Sequence, residues 1–88
     1  METNERTNRR EIRKKSTEKF ILGLLFEVDA PKEQKEKTAR EITTAIFESG
    51  CWDKAEFQKM TLGYLCQFSE KIPNEQLVAM SVKIARYI

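Results

Sequence analysis

Few side chains in this chain are able to do chemistry. The 88 residues include no histidine. That removes the commonest general base, the commonest metal ligand and every Ser-His or Cys-His nucleophile pair. Cys51 and Cys66 are the two cysteines, and without histidine they cannot complete a four-ligand zinc site. Cys51 stands just before a predicted helix start, a position that favours a reactive thiolate. No second cysteine is near it, so small filler beside a corner anchored by Trp52 is the expectation. Gly23, Gly50 and Gly63 are too scattered to form a phosphate loop. Glu33, Glu36 and Glu41 stand four residues from Lys37, Arg40 and Lys37 respectively, which predicts a solvated salt-bridge ladder and no acid–base pair. No enzyme activity, no cofactor and no metal site are expected.

What remains is charge. Arg6, Arg9, Arg10 and Arg13 recur at i, i+3, i+4 and i+7, so a helix places them on one face, with Lys14 and Lys15 following. Such a row can grip phosphates or an acidic protein surface. Residues 1–19 hold seven Lys or Arg against four Glu, a net +3, while residues 20–88 carry a net −1. Glu5, Glu11 and Glu18 dilute the row, and a solubilising extension would account for the same residues. The arm holds no aromatic residue, so base stacking is not expected there.

The elements that must position this row read as four helices with no strand. The first covers about residues 7–28. Phe20, Ile21, Leu24, Leu25 and Val28 share one side, and Leu22 and Phe26 lie toward another, which predicts a central, buried segment. Gly23 inside it costs about 1 kcal/mol relative to Ala, and close approach of a neighbouring helix is the expected return. Asp29-Ala30-Pro31 breaks the chain, with Pro31 in the first turn of a second helix that ends near Gly50. Ala39, Ile42, Ala45 and Ile46 make its buried stripe. Asp53 and Glu56 fit a capping box, and Trp52 with Phe57 fits a hydrophobic staple. The third helix buries Phe57, Met60, Thr61, Tyr64, Leu65 and Phe68 and ends near Lys71. Pro73 or Asn74 opens the fourth, with Leu77, Met80, Ser81, Ile84 and Ile88 in its stripe. Neither the second nor the third helix carries the basic polar face of a groove-reading recognition helix.

The fold expected is therefore all-α: a compact four-helix arrangement in one domain over residues 1–88. A long first helix would carry a basic arm at 1–19 ahead of a core at 20–88. Short connections favour antiparallel neighbours. The run from Phe20 to Phe26 is too short to span a bilayer. The polar opening and two unpaired thiols predict a cytoplasmic protein with no secretion signal. Val78, Val82 and Tyr87 extend the apolar character of the fourth helix beyond its main stripe, an interface that a second copy could cover.

Lys14-Lys15, then Leu22, Leu25, Phe26 and Asp29, resemble the first helix of NusB-type antitermination proteins. The resemblance covers residues 14–29 and consists of general helix positions. It implies an all-helical fold and RNA as a partner. The rest of that fold is not traced in this chain.

These readings converge on a small, non-enzymatic binding or regulatory protein. The first expectation is a protein partner, with homodimerisation as one form of it. The alternative is nucleic-acid binding, RNA or DNA, through Arg6, Arg9, Arg10, Arg13 and Lys14.

Overall fold

A computed structural model of the chain describes residues 2–50 and 53–88, with side chains from residue 9 onward. Four α-helices follow one another: α1 (Glu2–Leu25), α2 (Lys32–Glu48), α3 (Lys54–Leu65) and α4 (Asn74–Tyr87). A single 3₁₀ turn, Cys66–Phe68, extends α3. Each helix packs on the next, and α1 also packs on α4, so the four close into a ring around one core. That core draws Ile21 and Leu25 from α1, Ile42 and Ile46 from α2, Phe57 and Leu65 from α3, and Leu77 and Ile84 from α4. No helix among the described residues is long and apolar enough to cross a membrane.

Local chemistry fixes most boundaries. Pro31 and Pro73 each sit at the cap with extended ψ, and their carbonyls accept from Lys35 and Leu77 to open α2 and α4. Gly50 has φ of +69°, the left-handed turn that stops a helix and that L side chains rarely adopt. The Asp53 carboxylate accepts from the Ala55 backbone N–H at 3.0 Å and caps α3. Glu56 lies 3.9 Å from Lys59, so its carboxylate serves an ion pair within α3. Cys51 and Trp52 lie outside the described residues, and with them the expected staple.

Three expectations need correction. First, α1 ends at Leu25, not near Val28. The carbonyls of Phe26 and Val28 accept from the Lys35 ammonium at 3.1 and 3.2 Å, and that of Asp29 accepts from Lys71. Cations contributed by later elements thus take up carbonyls of the turn that follows α1, while Gly23 and Leu25 of its last turn accept from the Phe26 and Val28 N–H groups. Second, the segment from Phe20 to Val28 is buried on one side only. Ile21 and Leu25 lie in the core as expected, but Phe26 is 77% exposed, and α1 has α2 and α4 as neighbours, as α3 does. Gly23 faces outward with nothing within 4 Å of a would-be Cβ, so no neighbouring helix approaches it. Third, the ladder on α2 is only partly as expected. Lys37 pairs with Glu41 at 3.9 Å as the spacing indicates, but Glu36 takes Lys32 at 3.8 Å, and Arg40 turns to Glu18 of α1 at 3.7 Å.

Among the described residues five hydroxyls are buried between these helices. Thr17, Thr38, Thr43 and Ser81 donate to backbone carbonyls three or four residues back, at 2.7–2.8 Å. This local bond satisfies the group where a buried polar atom would otherwise cost stability. Thr61 Oγ1 has no partner among the described residues.

Candidate functional site

The short connection after α1 turns the chain back, so the start of α1 lies beside the end of α2. Arg10 uses this arrangement. Its Nη2 donates to the carbonyl of Phe47 at 3.0 Å. That carbonyl is in the last turn of α2, where acceptors are unsatisfied and the helix dipole is negative. The arm is thereby tied to the bundle well before residue 19, and the buried Thr17 strengthens the tie. The expected division between arm and core is not where the packing divides.

Around this contact, Arg9, Arg10 and Arg13 line an open cleft of about 610 Å³ with Phe47, Glu48 and Gly50. The guanidiniums of Arg9 and Arg13 are exposed and have no hydrogen-bond or ion-pair partner among the described residues. Phe47 is half-buried, one side of it packed against the core. The cleft therefore presents two available planar cations, a third anchored to the wall, and one aromatic side chain. Guanidiniums bind phosphate bidentately, and an aromatic face can stack a base. Glu48 places one carboxylate at the rim, which reduces the positive charge there.

The other residues singled out from sequence are distributed differently. Arg6 lies within α1, but its side chain is outside the described residues. Lys14 belongs to a separate α1–α2 cleft of about 290 Å³, with Glu11, Lys15, Glu18 and Arg40. Val78 and Val82 are half-buried, one turn apart on one flank of α4. Tyr87 lies roughly half a helical circumference from Val78 and is turned to α1, where its ring stacks on Phe20 and its hydroxyl meets Ser16. These three do not form one surface. Cys66 is a free, exposed thiol at the end of α3. Among the described residues no three His, Cys, Asp or Glu side chains gather to hold a metal ion.

Sequence reasoning missed Phe47, the aromatic side chain that lines the cleft beside the arginines. The signal was present in the topology: a short turn between two antiparallel helices puts the first turns of one against the last turns of the other. The chain matches no family model, no curated protein and no solved structure, so the likeness of residues 14–29 to antitermination proteins stands without a family match.

Proposed function

We propose that this chain is a small, non-enzymatic binding protein whose arginine cleft takes a single strand of nucleic acid. Phosphates would sit on Arg9 and Arg13, and a base would lie against Phe47. The observation that carries this reading is the convergence of Arg9, Arg10 and Arg13 with Phe47 in one open cleft. Charge supplies affinity that falls with salt, and the aromatic ring supplies contact with any base. The proposal sets the protein in a reducing, cytoplasmic compartment, which suits the exposed thiol of Cys66. The test is fluorescence anisotropy with labelled single-stranded RNA and DNA oligonucleotides across a salt series, for the native chain and for Phe47→Leu and Arg9→Gln/Arg13→Gln variants. Binding that ignores salt and both variants would defeat the reading.

A second reading, action through a protein partner, draws on another surface. On the outer side of α1, Ile12 and Phe26 are 65% and 77% exposed. Self-association through α4 has a narrower basis, since Tyr87 is occupied by Phe20 and only Val78 and Val82 remain on that flank.

A further inference from the structure

The outer side of α1 carries an ordered stripe. Ile12, Lys15, Lys19, Gly23 and Phe26 follow one another at steps of three, four, four and three residues. That spacing keeps them on one face of a helix, opposite the buried Ile21 and Leu25. Ile12, Lys15, Lys19 and Gly23 are exposed, as is Phe26, the first residue past the helix, whose N–H still bonds back to the Gly23 carbonyl. The stripe is about 21 Å long at helical rise.

Each part of it is hard to explain from inside the fold. Gly23 weakens a helix interior, yet nothing packs against it. Among the described residues Phe26 is the most exposed of the large apolar side chains, and its ring has the Lys35 ammonium 5.9 Å from its centroid. The two apolar anchors stand at the ends, two lysines lie between them and a third stands beside Phe26. No acidic side chain falls on the stripe itself, the nearest being Glu11 and Glu18, which share the α1–α2 cleft on the Lys15 side.

We propose that this stripe docks an acidic amphipathic helix of a protein partner. Apolar residues of that helix would seat on Ile12 and Phe26, its carboxylates would face Lys15 and Lys19, and its backbone would come closest over Gly23, where no Cβ intervenes. Charge decides the occupant. A second copy of this chain would set lysines against lysines. A lipid surface is met best by a continuous apolar face, and here the apolar residues are two, held apart by cations. This inference rests on the protein-partner reading and is independent of the arginine cleft, which lies on another flank of α1.

The experiment uses the whole chain and a fluorescein-labelled synthetic helix with leucines along one face and glutamates beside them. A lysine-for-glutamate version and vesicles of phosphatidylcholine with phosphatidylglycerol serve as the other arms. Saturable binding of the acidic helix is expected, with circular dichroism of each variant matching the native chain. Phe26→Ala should weaken it about tenfold, the usual effect of losing one anchor. Lys15→Glu/Lys19→Glu should abolish it and create binding to the lysine version. Arg9→Gln/Arg13→Gln should leave it unchanged, which separates this surface from the nucleic-acid cleft. Equal binding of both peptides, binding indifferent to Phe26→Ala and to the charge reversal, or vesicle binding in place of peptide binding would overturn the proposal.

Discussion

The ring of Tyr87 lies flat on that of Phe20, with centroids 4.2 Å apart and planes 5° from parallel. The Tyr87 hydroxyl also meets Ser16 Oγ. Together these contacts join the last turn of α4 to α1 across the seam where the ring of helices closes. Stacked aromatic pairs add about 0.5–1.5 kcal/mol beyond the area they bury. Tyr87→Ala should therefore lower unfolding free energy by about 1–3 kcal/mol, read from a urea melt. Tyr87→Phe keeps the stack and should cost less than about 1 kcal/mol, since the lost hydrogen bond is exposed.

Thr61 offers the opposite sign. Its hydroxyl is fully buried and lacks an acceptor among the described residues, unlike those of Thr17, Thr38, Thr43 and Ser81. A buried group left unsatisfied costs about 1–3 kcal/mol. Thr61→Val keeps the shape and removes the group, so the urea midpoint should rise, by the equivalent of about 1 kcal/mol. A fall of similar size would reveal an acceptor for that hydroxyl.

Asp53 tests the start of α3. Its carboxylate takes the Ala55 N–H, one of the orphan donors at a helix start. Asp53→Ala should cost about 0.5–2 kcal/mol. An unmoved denaturation midpoint would mean that the helix start is held by other groups.

The arginines should separate by role. Arg10 holds the Phe47 carbonyl, so Arg10→Gln should reduce stability, by up to about 1 kcal/mol for so exposed a contact. Arg9→Gln and Arg13→Gln should change stability by less than about 0.5 kcal/mol each. For a single strand held at two phosphates, the double variant should flatten the slope of log affinity against log salt by about 1.4. Stability losses from Arg9 or Arg13 matching that from Arg10 would argue that all three serve the fold.

How far the sequence could be read depended on distance along the chain. The ends of α2 and the starts of α3 and α4 were legible, because Pro31, Gly50, Asp53 and Pro73 act on their own neighbours. The end of α1 was misjudged because the turn that follows Leu25 has its carbonyls taken by Lys35 and Lys71, contacts that periodicity in α1 cannot report. The arginine row was visible as a row, but its aromatic wall comes from Phe47, thirty-seven residues beyond Arg10. Tyr87 was assigned to a surface for a second copy because its apolar character was plain while its stacking partner was not. Phe26 read as buried because it extends an apolar run, yet the helix geometry points it away from Ile21 and Leu25.

The closed ring has a kinetic meaning. Three of its interfaces join helices that follow one another, α1 with α2, α2 with α3 and α3 with α4, and only α1 with α4 requires the two ends of the chain to meet. Contacts between sequence neighbours form at small loop-closure cost, so such chains fold fast, and the distant pair tends to form last. The seam at Phe20 and Tyr87 should then be open in the folding transition state. Weakening it would leave the folding rate nearly untouched and show itself as faster unfolding. The stacked pair thus bears on how long the native protein lasts more than on how fast it forms.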